Sequence, residues 1–263
     1  MNAKWIVTAI LAVGVVGCGT NPDAADGVAA NEKDPLRTDL APAEVVSGAG
    51  EPDANGFVWQ TEQFADIKMI RYQVPGWDKL TDRQQALVYC LNMAGLSGRD
   101  IMYDQNNRYN LRVRNLLEAI YSSFQGDKGT KGWQDFETYL KRIWFSNGIH
   151  HHYANTKLQP GFSEAYFDLL LDQTGQSCTD EIRAVIFDPT VEPKKVEQDA
   201  TKGLVEGSAI NFYAPDVTTS EATAYYESIV DPDTRTPVEY SLNSRLVKNA
   251  AGEVVEEPYR VGG

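Results

Sequence analysis

Three consecutive segments between residues 81 and 148 carry apolar side chains at helical spacing, so the chain must fold around a helical core. In water, each apolar stripe has to be buried against another element. The segments run from Thr81 to Leu96, from about Tyr109 to Phe124, and from Trp133 to Gly148. Their apolar positions are Leu87, Val88, Leu91 and Ala94; then Val113, Leu116, Leu117, Ile120, Tyr121 and Phe124; then Trp133, Phe136, Leu140, Ile143 and Trp144.

Capping signals predict three shorter helices beyond these. Ser163 can accept a hydrogen bond from the first turn of a helix, and Thr218 forms a capping box with Glu221; a further helix is predicted to start at about Thr179. The predicted helices begin at Ser163, extend from Thr179 to Phe187, and extend from Thr218 to about Val230.

The C-terminal part changes from helical spacing to a period of two. Residues 241–248 and 253–261 are predicted to be strands, and residues 249–252, which end in Gly252, are predicted to join them as a hairpin. Pro258 places the second strand at a sheet edge or a bulge. The predicted fold class is therefore α+β and mainly helical.

The first 18 residues have the pattern of a bacterial lipoprotein signal. A short cationic start is followed by a brief apolar run and by Val15-Val16-Gly17-Cys18, which resembles a lipobox. We expect residues 1–17 to be a signal peptide and Cys18 to carry the lipid, with ordinary secretion as the alternative. Residues 18–56 are poor in apolar side chains and are predicted to be a disordered tether. This pattern predicts a bacterial cell-envelope protein attached to the membrane by its lipid.

Charge and cysteine usage restrict the partners and the redox state. The formal net charge of −13 argues against a nucleic-acid partner, because phosphate binding needs a basic surface.

An oxidising compartment would permit a disulfide between Cys90 and Cys178. Cys90 lies inside an apolar helical pattern, however, which favours a buried free thiol.

The three histidines are consecutive, at His150, His151 and His152. Neighbouring residues point in different directions on a helix or a strand, so the three imidazoles do not converge on one ion. We therefore predict no metal site and expect a structural loop or a cleft lining, with contact to a substrate as a further role. The sequence also contains no H-E-x-x-H, H-E-x-x-x-H, G-x-S-x-G, Walker or G-x-G-x-x-G motif.

Three segments resemble the dipeptidyl peptidase III family in its Bacteroidetes-type form. They are Tyr89-Cys90-Leu91-Asn92-Met93-Ala94-Gly95-Leu96-Ser97-Gly98-Arg99-Asp100-Ile101 with Asp104-Gln105-Asn106, then Phe145-Ser146-Asn147-Gly148-Ile149-His150-His151-His152-Tyr153 with Thr156-Lys157-Leu158, and Tyr240-Ser241-Leu242-Asn243-Ser244-Arg245-Leu246-Val247. The similarity extends from about Phe57 to the last residue. It implies a two-lobed zinc metallopeptidase that releases dipeptides from the N-terminus of oligopeptides, with an H-E-x-x-x-H helix and a later acidic segment as the zinc ligands.

Neither zinc-binding segment is present in this sequence. The resemblance therefore implies that residues 57–263 are a partial N-terminal lobe, from the side that lacks zinc and that combines helices with a small β-barrel. It places His152 and Tyr153, and more weakly Asn147 and His150, among the residues that contact the substrate. We expect this chain to contribute no catalytic residue and to bind no zinc.

Two functional hypotheses remain open. In the first, the chain is the N-terminal fragment of a zinc exopeptidase; it is inactive alone, its partners are an oligopeptide substrate and the missing zinc-bearing lobe, and its C-terminal strands lack neighbours. In the second, it is a non-enzymatic lipoprotein that binds peptides.

Overall fold

The computed structural model describes residues 50–230, 233 and 243–261. The described residues fall into two compact units, one that ends at Thr81 and one that begins at Asp82. The predicted signal peptide, the lipidated Cys18 and most of the tether lie outside the described residues. Among the residues that are described, no helix has the length and apolar character needed to cross a bilayer.

The first unit contains a small antiparallel hairpin. Its strands are β1, Gln60–Phe64, and β2, Ile67–Ile70. Phe64 and Ile67 are buried at the turn end, and Ala65 between them adopts the left-handed conformation with φ 49°. The sequence analysis did not predict this hairpin, because the strand Gln-Thr-Glu-Gln-Phe has one apolar residue and no clear alternation.

The second unit is mainly helical. The structure as a whole is α+β, with about 45% helix and two small antiparallel sheets in its described part. The helices of the second unit are α1 Asp82–Ser97, α2 Arg99–Asn106, α3 Asn110–Ser123, α4 Lys131–Ser146, α5 Glu164–Thr174, α6 Asp180–Phe187 and α7 Thr219–Ile229, and its strands are β3 Ser244–Lys248 and β4 Val254–Pro258.

The main core lies among α3, α4, α5 and α6. The apolar stripes predicted for α3 and α4 are buried, with Val113, Leu117, Phe136 and Leu140 fully inaccessible. Aromatic rings fill much of this core, and the Trp133 ring stacks on Phe124 at 4.3 Å between centroids. These contacts fix the directions of α3 and α4, and therefore the point at which the chain leaves α4.

The helix caps predicted at Ser163 and Thr218 are confirmed, and Thr179 caps α6 in the same way. The hydroxyls of Ser163, Thr179 and Thr218 each accept a hydrogen bond from the first turn of α5, α6 and α7, and Thr218 forms the full capping box with Glu221. Asn147 ends α4 in the left-handed conformation, which accounts for the Asn-Gly signal in the sequence.

The prediction that Cys90 is buried is wrong. Cys90 is exposed on α1, and both Cys90 and Cys178 are free thiols. The apolar spacing correctly predicted a helix here, but no side chain of α1 is buried. Helix α2 was not predicted, because its sequence is mostly polar.

The predicted C-terminal hairpin is confirmed, with β3 and β4 antiparallel and Ser244 opposite Pro258. The other edge of β3 is occupied as well: the Leu246 N–H donates to the Phe212 carbonyl, and the Leu246 carbonyl accepts from the Ala214 N–H. The expectation that both strands lack further neighbours is therefore wrong for β3. Leu246 is buried with Val217 and Ala222 in a second, smaller core.

Tyr139 provides a test of the main core. Its hydroxyl is buried and, among the described residues, has no hydrogen-bond partner, and burial raises its pKa above the ordinary value. Removing this hydroxyl removes an unpaired polar group. We expect Tyr139→Phe to leave the free energy of unfolding unchanged or to raise it by about 1 kcal/mol, as measured by urea titration.

The matched control is Tyr103→Phe, because the Tyr103 hydroxyl donates to the Trp144 carbonyl at 3.3 Å. That variant should lose about 1 kcal/mol. A destabilised Tyr139→Phe protein would show that the Tyr139 hydroxyl has a partner in solution.

Candidate functional site

The histidine segment forms a tight loop directly after α4. The Leu158 N–H donates to the Ile149 carbonyl and the His151 N–H donates to the Thr156 carbonyl, each at 2.8 Å, so that the two arms of the loop pair. Asn155 closes the tip with φ 59°. His152 and Tyr153 therefore lie at the tip of an ordered turn.

The base of the loop is held by the buried carboxamide of Asn110 on α3. Its Oδ1 accepts from the Ile149 N–H at 3.0 Å, and its Nδ2 donates to the carbonyls of Tyr103 at 2.9 Å and Asn147 at 3.4 Å. Gly148 lies directly against this amide: a Cβ at Gly148 would be 2.1 Å from Asn110 Nδ2. The close approach requires glycine at this position, and φ of 144° favours it as well.

His150 is buried below the loop. Its Nε2 donates to the Glu192 carbonyl at 2.8 Å, and only 2% of the residue is exposed. The pKa of His150 is lowered to about 4, mainly by burial and also by the positive charges of Lys195 and Lys157, while the hydrogen bond to Glu192 acts in the opposite direction. His150 is therefore neutral at physiological pH.

Glu192 connects this loop to the start of α3. Its carboxylate accepts from Arg108 at 2.9 Å and from Asn107 Nδ2 at 3.2 Å. Glu192 has a backbone φ of 52°, which is unusual for a residue with a side chain. The ion pair and the His150 hydrogen bond hold it in that conformation.

Lys157, on the returning arm, anchors the loop to the end of α6. Its ammonium donates to the carbonyls of Asp188 at 2.5 Å and Val191 at 2.8 Å, with Ala184 at 3.5 Å. Burial lowers the pKa of Lys157 to about 8, although nearby carboxylates raise it. A cation at the C-terminus of a helix also interacts favourably with the helix dipole. This contact is structural, since the ammonium binds carbonyl oxygens of the chain itself.

The upper surface of the loop is a row of rings, which we call the aromatic platform: Phe145, His151, His152 and Tyr153. The His152 ring stacks on His151 at 4.4 Å, packs edge-on against Phe145 at 4.8 Å and lies 4.4 Å from the tilted Tyr153 ring. His151 Nδ1 accepts the N–H groups of Tyr153 and Ala154, which fixes the backbone under the rings. Tyr153 is 84% exposed.

The four sequence-predicted site residues thus separate into two pairs. His152 and Tyr153 are on the platform and can contact a ligand. Asn147 is the C-cap of α4, and its carbonyl also accepts from Asn106 Nδ2 at 3.0 Å, while His150 is buried. These two support the loop from below, and direct contact between His150 and a substrate stays a prediction that would require the loop to open.

The histidines are not arranged to hold zinc. His150 Nε2 carries the proton that it donates to Glu192, and His151 Nδ1 is occupied by two backbone N–H groups. In the described part of the chain, no three His, Cys, Asp or Glu side chains form a cluster that could hold a metal ion.

The supporting residues Asn107, Asn110, Lys157 and Glu192 were missed by the sequence analysis. Each is polar and buried or nearly so, and their partners lie tens of residues away along the chain. A weak signal was present: Asn110 begins the α3 segment as a polar residue three positions before Val113 of its apolar stripe.

Gly148 offers a direct test of the loop base. Gly148→Ala should lower the free energy of unfolding by about 3 kcal/mol or more, because the new Cβ collides with the Asn110 amide. Thermal denaturation measures the loss. The matched control is Gly175→Ala, where φ is 65° and the space is open, so that about 1 kcal/mol is expected. Equal losses in the two variants would contradict the close contact at Gly148.

The pKa of His150 predicts a dependence of stability on pH. The imidazole titrates near 6.5 in the unfolded chain and near 4 in the folded one, so between these values only the unfolded chain binds the proton. Its contribution to stability is complete above pH 6.5 and is lost as the pH falls toward 4.

The loss should amount to about 3 kcal/mol. His150→Gln keeps a donor for the Glu192 carbonyl but does not titrate, so its unfolding free energy should fall less over this range. Parallel curves for the two proteins in urea titrations from pH 7 to pH 4 would contradict the assignment.

Comparisons with known proteins add no family to this geometry: neither a protein-family model nor a curated protein matches the chain. Function is therefore inferred from the three resembling segments and from the site itself.

Proposed function

We propose that this chain is the N-terminal, peptide-binding part of a dipeptidyl peptidase III-like zinc exopeptidase of the bacterial cell envelope. The helical second unit would belong to the lobe that lacks zinc, and the β3–β4 hairpin would belong to its small β-barrel. In this role the chain holds an oligopeptide, and hydrolysis depends on the missing zinc-bearing lobe.

The observation that carries this proposal is the exposed aromatic platform on an ordered loop. Tyr153 projects its ring into solvent, yet its backbone N–H is bonded to His151 and its ring lies against His152. A large apolar surface that is already ordered loses little conformational entropy when a ligand covers it. Loops held by a rigid scaffold in this way commonly carry binding residues.

The chemistry of the platform suits a peptide with a free N-terminus. Aromatic faces attract a nearby ammonium group and pack against apolar side chains. The Tyr153 hydroxyl, on a side chain that is 84% exposed, can exchange hydrogen bonds with peptide groups. The resemblance independently places His152 and Tyr153 at the substrate.

Hydrolysis in this family needs a bound zinc ion, and the given sequence contains neither of the two segments that supply the zinc ligands. Bound zinc would activate a water molecule for attack on the scissile carbonyl. We predict that the chain, incubated with zinc and a dipeptidyl-naphthylamide, releases no naphthylamine above the buffer rate. Turnover that depends on the metal would contradict the proposal.

Peptide binding tests the platform itself. A penta- or hexapeptide with a free amino terminus should bind the full chain in an isothermal titration, and Tyr153→Ala and His152→Ala should each weaken binding by about tenfold. The matched control is Tyr72→Ala, since Tyr72 is also strongly exposed, at 76%. Equal affinity for wild type and the two platform variants would show that the peptide binds elsewhere.

A non-enzymatic peptide-binding lipoprotein is the second candidate. The platform favours it to the same degree, because its described contacts are suited to binding and include no nucleophile or metal ligand. The two candidates differ in the gene: an open frame that continues past the Gly263 codon into H-E-x-x-x-H favours the exopeptidase, and an immediate stop codon favours the binding protein.

A further inference from the structure

Lys195 lies directly beside the tip of the loop that carries the aromatic platform. Its N–H donates to the Asn155 carbonyl at 2.8 Å, next to the antiparallel bridge between Thr156 and Lys194. Its own carbonyl accepts from the Ile210 N–H at 3.1 Å. The backbone of Lys195 is therefore fixed on both sides, next to the loop.

The ammonium group of Lys195 has no partner. Within the described residues its side chain forms no hydrogen bond or ion pair, whereas Lys194 pairs with Glu197 at 2.9 Å and Lys157 binds backbone carbonyls. Lys195 is half-buried, and this burial lowers its pKa with no carboxylate acting against the shift. A charge that has lost part of its water shell without gaining a partner is stabilised by an arriving anion.

The segment that contains the loop is basic, although the chain as a whole is acidic. The chain has 37 Asp and Glu against 24 Lys and Arg, yet residues 138–163 contain no acidic residue. The basic residues in this segment are Lys141, Arg142 and Lys157. A local excess of positive charge attracts an anionic ligand.

The charges that act on the buried His150 ring have the same sign. Those of Lys195 and Lys157 both lower its pKa, and no carboxylate raises it. Glu192 binds His150 through its backbone carbonyl, but its carboxylate is paired with Arg108 at 2.9 Å. Lys195 therefore contributes an uncompensated positive charge beside the loop.

We propose that the Lys195 ammonium binds a carboxylate of the peptide that lies on the aromatic platform. This inference rests on the proposed function, since it assigns a second contact to the same ligand. A peptide offers two kinds of carboxylate, its C-terminus and the side chains of Asp and Glu, and either one forms a charge-assisted hydrogen bond with an ammonium group. Such a bond beside the rings also defines the direction in which the peptide lies.

Three pentapeptides that differ only in their carboxylates test the contact. Each has a free amino terminus; the first has an amidated C-terminus and an internal Gln, the second a free C-terminus, and the third Glu in place of that Gln. In isothermal titrations of the full chain, we expect at least one of the two carboxylate-bearing peptides to bind about fivefold more tightly than the first. The peptide that gains affinity identifies which carboxylate is bound.

Lys195→Gln should abolish this preference and leave the affinity for the carboxylate-free peptide unchanged, while Lys195→Arg should retain the preference. Circular dichroism should show the wild-type helix content in both variants, since the Lys195 ammonium has no partner to lose within the described residues. The matched control is Lys131→Gln, which removes the same charge at the first residue of α4, about 22 Å along the helix from the end that leads into the loop. This control should keep the full preference.

The inference and the proposed function fail in different ways. Equal affinity of the wild-type chain for the three peptides, or a preference that Lys195→Gln retains, would overturn the carboxylate contact while peptide binding itself stands. If none of the three peptides binds, or if Tyr153→Ala leaves all three affinities unchanged, the proposed function fails and the carboxylate contact fails with it.

Discussion

The carboxamide of Asn110 is the contact on which the candidate site depends. It is fully buried between α3 and the end of α4, and its oxygen and nitrogen bond three backbone groups, those of Tyr103, Asn147 and Ile149. A buried polar group without a partner costs about 1–3 kcal/mol, so this amide and the backbone of Ile149 stabilise each other strongly. The amide therefore determines where the histidine loop begins.

The site follows from this contact in physical steps. The aromatic core fixes α3 and α4, Asn147 ends α4 in a left-handed turn, and Gly148 permits the close approach to Asn110. Below the loop, Lys157 holds the returning arm to the end of α6. The tip is then ordered enough to hold the Tyr153 ring in solvent, packed against the half-buried His152 ring. The polar groups below are used for structure, and the rings above remain available for a ligand.

Sequence reasoning predicted the elements whose signals are local. Helices α3 and α4 were predictable because their apolar periods are regular, and the caps at Ser163 and Thr218 because a single side chain near the helix start forms each of them. The β3–β4 hairpin was predictable from its alternation and its glycine turn. The tip residues His152 and Tyr153 were named through a resemblance, and their contact with a ligand stays a prediction; Tyr153 is exposed and His152 is half-buried.

The features that the sequence did not predict depend on contacts between residues that are far apart along the chain. Asn110 is hydrogen-bonded to Ile149, and Lys157 to Val191. The sequence around these residues contains no pattern that predicts either hydrogen bond. The burial of α1 was predicted wrongly for a related reason: apolar spacing indicates that a face needs a partner, but it does not say whether this chain supplies one. The burial of Cys90 was predicted wrongly for the same reason, because Cys90 lies on α1.

Amide hydrogen exchange at Ile149 and Leu158 tests most directly the claim that a buried frame holds the loop. The Ile149 N–H is bonded to Asn110 Oδ1, and the Leu158 N–H is bonded to the Ile149 carbonyl. We predict that both exchange as slowly as core amides of α3, and that Asn110→Ala removes this protection while α3 keeps its own. Fast exchange of Ile149 and Leu158 in the wild-type chain, as in a solvated loop, would contradict the account.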